Sequence, residues 1–128
     1  MRRDLYSNFA AVQAVASGSK SDAVDGASVD LQGFYSALFV VNTGTVTGAG
    51  DFTFKLQESD EEATGFADAA ADDVIGEAPA TMAATSAYKL GYRGSKRYVR
   101  LAITKAGGTS IQVGAVAILG HANHAPVA

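Results

Sequence analysis

Polar and apolar residues alternate most regularly at Phe52-Thr53-Phe54-Lys55-Leu56-Gln57, where Phe52, Phe54 and Leu56 fall on one face and Thr53, Lys55 and Gln57 on the other. A period of two over six residues predicts a strand with one face in a core and one in water. A second such run, Arg97 to Thr104, turns Val99, Leu101 and Ile103 inward and Tyr98, Arg100 and Thr104 outward, leaving a basic and aromatic stripe on the solvent side. Two further runs, Ala37 to Val41 and Ile111 to Leu119, are apolar on both faces. In an antiparallel protein such a strand is covered on both sides, by another sheet or by another subunit. Gly94-Ser95-Lys96 and Gly107-Gly108 stand where hairpin turns need positive φ, so strands near 85–92, 97–105 and 110–119 are expected to form a meander.

Upstream, Leu5 to Val15 and Ala27 to Gln32 read as weaker strands around a Ser/Gly/Asp-rich stretch from Ser17 to Gly26, and Thr43 to Gly50 reads as a Gly/Thr loop. One helix is expected, Asp68 to Ile75, with Asp68 as N-cap and Gly76 as its stop. No internal repeat or linker interrupts the series. Seven or eight short strands with regularly spaced turn signals predict an all-β fold, an antiparallel β-sandwich or jelly roll with one short helix. Residues 1–128 then form one domain, with Met1 to Asp4 and Gly120 to Ala128 as short arms outside the strands.

Composition fits that picture. The 128 residues are 48% hydrophobic, enough to bury a core, and 25 of them are Ala and 14 Gly, which favours thin, closely packed strands. There is no Cys, so disulfides, a thiol nucleophile and a Cys-based zinc site are excluded. The formal charge is −3, against a generic nucleic-acid binder, but it is unevenly placed. Residues 1–77 hold all 13 acids and four bases, whereas residues 78–128 hold six bases and no acid. The halves either cancel within one fold or make opposite patches that attract a neighbouring copy. Asp4, Ser7, Asn8 and Gln13 interrupt any apolar leader at the start, which reads as mature protein, and the apolar run VGAVAILG is far shorter than the roughly 20 residues of a membrane-spanning helix.

Candidate chemistry is sparse. A nucleophile needs a base, and the two histidines, His121 and His124, fall in the last eight residues, where a rigid supporting shell is not expected. Asp60-Glu61-Glu62 and Asp72-Asp73 lack the alternating oxygen ligands of a calcium loop and read as solvated acidic loops. The glycines of GTVTGAG, residues 44–50, precede a strand and lack the Lys-Ser/Thr of a phosphate loop. An enzyme is therefore not expected, nor a cofactor or metal. The segment YKLGYRGSKRYVR, residues 88–100, interleaves Tyr88, Tyr92 and Tyr98 with five bases. That mixture suits a protein interface and also suits stacking on sugars or bases. The residues assigned to a partner interface are Tyr92, Arg93, Lys96, Arg97, Tyr98, Arg100, His121 and His124.

Three segments in order, SVDLQGFYSALFVVNTGTVTGAGDFTFKLQESDE (28–61), YKLGYRGSKRYVRLAIT (88–104) and VGAVAILGHANHAPV (113–127), resemble the small auxiliary capsid proteins of tailed bacteriophages, the cement or head-decoration proteins. The resemblance covers about half the chain and carries no site residue with it. It implies an antiparallel sandwich or jelly roll, commonly trimeric, made in the host cytoplasm and bound to the outer surface of an icosahedral head. There its partners are the major capsid protein and further copies of itself, and it bridges neighbouring capsomers. No membrane and no direct nucleic-acid contact is implied. The competing reading is a carbohydrate-binding or adhesion β-sandwich in which the three tyrosines form a sugar platform, a reading weakened by the absence of Trp.

Overall fold

In the computed structural model, which describes residues 4–122, ten strands form two antiparallel five-stranded sheets packed face to face. The strands are β1 (Ala10–Lys20), β2 (Val24–Asp25), β3 (Val29–Asp30), β4 (Phe34–Thr47), β5 (Asp51–Ser59), β6 (Ala67–Asp68), β7 (Val74–Ile75), β8 (Ala87–Tyr92), β9 (Tyr98–Gly107) and β10 (Ser110–Ala122). Sheet A has the order β1-β10-β4-β8-β7. Sheet B has the order β2-β9-β5-β6, with β3 also paired to β9. The chain changes sheet repeatedly: β1 in A, β2 and β3 in B, β4 in A, β5 and β6 in B, β7 and β8 in A, β9 in B, β10 in A. This is the β-sandwich that the strand periodicity predicts.

The core is the filling between the sheets. Phe39, Val41, Ile111 and Ala117 from sheet A meet Phe52, Phe54, Leu101 and Ile103 from sheet B, all almost without solvent contact. Thus β5 and β9 bury the alternating residues their patterns mark. Two close backbone approaches hold the layers together. At Gly26 the amide donates to the Leu101 carbonyl of sheet B at 2.7 Å, while the next amide, of Ala27, donates to the Ala14 carbonyl of sheet A at 2.8 Å. A Cβ on Gly26 would stand 2.5 Å from both carbonyl oxygens, so only glycine fits that crossing. At the far end Gly108, with φ +83°, lies directly on the Ala49-Gly50 backbone, seating the β9–β10 connection against the β4–β5 connection.

Several sequence expectations are corrected. The meander is not formed: β8 and β10 lie in sheet A and β9 in sheet B, so Gly94-Ser95-Lys96 and Gly107-Gly108 arch between layers. An arch and a hairpin both call for flexible turn residues, and local sequence does not separate them. The helix at 68–75 is also absent. Ala67 and Asp68 pair with Glu58 and Gln57 of β5, a short 3-10 turn covers Ala71–Asp73, and Val74 and Ile75 pair with β8. Alanine propensity favours a helix there, but ladder bonds to β5 and β8 outweigh it. Strand β4 continues through the expected Gly/Thr loop to Thr47, and β1 continues to Lys20 after a 3-10 turn at Tyr6–Asn8. His121 belongs to β10, so the C-terminal arm does not begin at Gly120.

Candidate interaction faces

Of the basic residues of 88–105, Arg93, Lys96, Arg97, Arg100 and Lys105 bond within the molecule. Arg97 makes a bidentate pair with Asp30, both bonds at 2.9 Å, and lies over the Tyr98 ring at 5.0 Å. Lys96 Nζ pairs with Asp60 at 2.9 Å. Arg100 Nε donates to Gln57 Oε1 at 2.8 Å, its other nitrogen sits 3.6 Å from Asp25, and the guanidinium stacks 4.3 Å from the Phe66 ring. Arg93 Nε donates to the Asp72 carbonyl at 2.7 Å. On the same side Lys55 pairs with Asp68 at 3.0 Å. The acidic first part and the basic last part of the chain therefore cancel across the edges and outer face of sheet B. The Arg97 hydrogen bonds hold the Asp30 carboxyl below the usual carboxylate range, and Asp30 in turn raises Arg97. Gln57, then Lys55, lowers Asp68 in the same manner, and Asp60 raises Lys96.

The tyrosines do not share a platform. Tyr92 is buried, its hydroxyl donating to Glu58 Oε1 at 2.7 Å and accepting the Lys96 amide at 3.2 Å, and burial followed by the Glu58 carboxylate pushes its ionisation upward. Tyr88 packs its ring 5.9 Å from that of Phe54 and accepts the Ala83 amide. Tyr98 lies on the outer face of sheet B. Tyr92, Arg93, Lys96 and Arg97 do come together, with Leu31 to Ala37, around an open cleft of about 440 Å³ at one end of the sandwich. His121 adjoins it, its Nδ1 2.8 Å from the hydroxyl of Ser36, a lining residue. Arg100 and Tyr98 face away from the cleft along sheet B. His124 lies outside the described residues.

The outer face of sheet A has the opposite character. Residues opposite one another in the ladder share a face, and the registers place Ala11, Ile118, Leu38, Gly91 and Ile75 in one row across all five strands. The next row is Gln13, Val116, Val40 and Lys89. Phe9 extends the surface by lying on Gly120, where a Cβ would collide with its ring. Ile75 and Val116 are 55% and 42% exposed. Lys89 is the one charge in these two rows. A further shallow depression, lined by Gln13, Ser17, Val40, Asn42, Gly114 and Val116, completes a smooth, neutral surface. The signal for it was the two-sided apolar character of Ala37 to Val41 and Ile111 to Leu119. Sheet B covers one side of those strands, and nothing among the described residues covers the other. The sequence reading marks these two strands as covered on both sides, by another sheet or another subunit, but names charged and aromatic residues for the partner interface.

Among the described residues no cluster of three or more His, Asp or Glu has metal-site geometry, and no helix is long and apolar enough to cross a membrane. What the arrangement offers is two broad surfaces, one laced by ion pairs and one bare.

No protein-family model matches the chain, and no curated protein matches it in sequence. Its fold is similar to those of two solved structures. The SPBc2 prophage-derived protein YomS shares 9% identity at a TM-score of 0.53, over 87% of this chain and 93% of that one. A chain from the structure of infectious bursal disease virus Gx strain shares 12% identity at a TM-score of 0.51, over 92% of this chain and 33% of that one.

Proposed function

We propose that this chain is a structural protein of a virion that attaches to the outside of an icosahedral phage head and stabilises it by bridging capsomers, with the outer face of sheet A seated on the shell. The observation that carries this reading is the contrast between the two outer faces. Water-facing sheets carry charge, as sheet B does, whereas the outer face of sheet A has Lys89 as the one charge in its two rows and leaves Ile75 and Val116 exposed, and exposed apolar surface of this kind favours cover by another macromolecule. The sandwich likeness to a prophage-derived protein and to a viral chain accords with the reading, as does the segment resemblance to head-decoration proteins.

Docking through Arg93, Lys96, Arg97 and Arg100 would exchange formed intramolecular bonds for intermolecular ones, with little net gain. Docking through sheet A removes apolar surface from water and breaks nothing. The major capsid protein is accordingly the partner of the sheet A face. The sugar-platform alternative loses its basis once Tyr88, Tyr92 and Tyr98 point to three different surroundings. The test is cosedimentation with purified heads: wild-type protein is retained in fixed ratio to the major shell protein, and Val116→Asp is lost from the heads while its circular dichroism is unchanged.

A further inference from the structure

Strand β4 outruns its neighbour on one side. Its ladder with β10 reaches Phe34, opposite Ala122, whereas its ladder with β8 stops at Ala37, opposite Tyr92. Past Tyr92 the chain leaves sheet A through Gly94-Ser95-Lys96 for β9. The Thr43 amide donates to the Ser86 carbonyl on the β8 side, and the register from Thr43 back to Phe34 is unbroken, so every second residue from Thr43 turns its backbone that way. Tyr35 is the member of that series with no strand beside it. Its N–H and C=O face the open cleft of about 440 Å³ at the end of the sandwich. Its ring lies on the core side of β4 with Ala37 and Phe39 but past the end of the core, and is 80% exposed.

Three bases and no acid line that cleft. Lys96 and Arg97 are paired with Asp60 and Asp30, which lie outside the lining. Arg93 differs: its Nε donates to the Asp72 carbonyl, and no carboxylate among the described residues comes within ion-pair distance of it. Its terminal nitrogens can take a carboxylate without breaking that bond. We propose that the cleft binds an extended acidic segment of the major shell protein, whose backbone pairs with Tyr35 and whose Asp or Glu meets Arg93. The open edge at Tyr35 selects a chain over a small anion, because it offers one donor and one acceptor in ladder geometry. The unpaired guanidinium selects an acidic residue in that chain. A second copy of this protein does not fit, since its clustered acids are folded into turns. The Glu61 amide donates to the Ser59 hydroxyl, Thr64 Oγ1 donates to the Glu61 carboxylate, and Asp72 and Asp73 belong to a 3-10 turn. The inference rests on the head-attachment reading and names the chemistry of its partner. Such a contact would also fix the position of the subunit on the shell, which non-directional apolar burial on sheet A does not.

The test places a photoreactive side chain at the exposed position, Tyr35→p-benzoylphenylalanine, in the full-length chain. The protein is bound to purified heads and irradiated, and the joined peptides are identified by mass spectrometry. The expected crosslink runs from position 35 to a shell-protein segment that carries Asp or Glu. Arg93→Gln should lower head occupancy about tenfold with unchanged circular dichroism, and Arg97→Ala, at a base already paired with Asp30, should not. A crosslink to another copy, to a shell segment without an acid, or to nothing on heads that retain the protein overturns the inference, as does full occupancy by Arg93→Gln. Should Arg93→Gln fail to fold, the crosslink decides. The underlying reading fails separately: Val116→Asp that stays on the heads overturns the sheet A seat whatever position 35 contacts, and wild type that does not cosediment overturns both.

Discussion

Asp30 shows how single residues close this fold. It sits in β3, accepts both Arg97 bonds and also accepts the Gln32 amide at 3.0 Å, so its ionised form is favoured in the native state. A carboxyl whose native pKa is depressed contributes stability that is present above its unfolded pKa and lost as pH falls through the native value. Asp30 and Asp68 are both depressed from 3.8, so their contributions are complete at neutral pH and decline as pH falls below that ordinary value. Asp30→Asn should therefore lower the melting temperature at pH 7 and lower it progressively less as pH falls below 3.8, as thermal melts across the acid range would register. A gap that stays undiminished as pH falls would mean that the carboxylate is not the stabilising group. Gly26 is a steric case. A methyl group there meets two carbonyl oxygens that are fixed by the two sheets, and overpacking against backbone costs about 3 kcal/mol. Gly26→Ala should lower the urea midpoint accordingly with little change in slope.

At the scale of elements, β5 and β9 were legible because one of their faces meets water and the other the core, which imposes alternation. The two-sided runs in β4 and β10 were legible as strands, but not what lies on each side. Inter-sheet arches looked like hairpins, since Gly94-Ser95-Lys96 and Gly107-Gly108 carry the residues that either connection needs. The segment from Ala67 to Ser86 was the least legible, because long-range bonds organise it. Ala69 donates to the Leu56 carbonyl and Met82 to that of Phe52, and Thr53 Oγ1 donates to the Pro79 carbonyl at 2.5 Å. Thr43 is its anchor to sheet A, donating to the Ala83 carbonyl at 2.6 Å and accepting the Ser86 amide at 2.9 Å while nearly buried. Thr43→Val leaves both groups unpaired and should cost about 2 kcal/mol. Faster amide exchange at Ser86, with β9 amides unaffected, would locate the loss in this segment.

For the whole molecule, charge and apolarity are sorted onto opposite sides. The charge asymmetry of the sequence pointed to Arg93, Lys96, Arg97 and Arg100 as a surface for partners, yet the fold brings Asp30, Asp60 and Asp25 to three of them. Only the register of sheet A shows that Ala11, Ile118, Leu38 and Ile75 align, since they are scattered over more than a hundred residues of sequence. Attachment through such a face depends on apolar burial, which salt does not screen. The most direct measurement is the occupancy of purified heads by Val116→Asp and by Arg97→Ala, each against wild type in the same buffer. Occupancy should fall at least tenfold for Val116→Asp and remain near wild type for Arg97→Ala, the tenfold corresponding to about 1.4 kcal/mol. Full occupancy by Val116→Asp, with loss of binding by Arg97→Ala, would contradict the assignment of sheet A as the docking face.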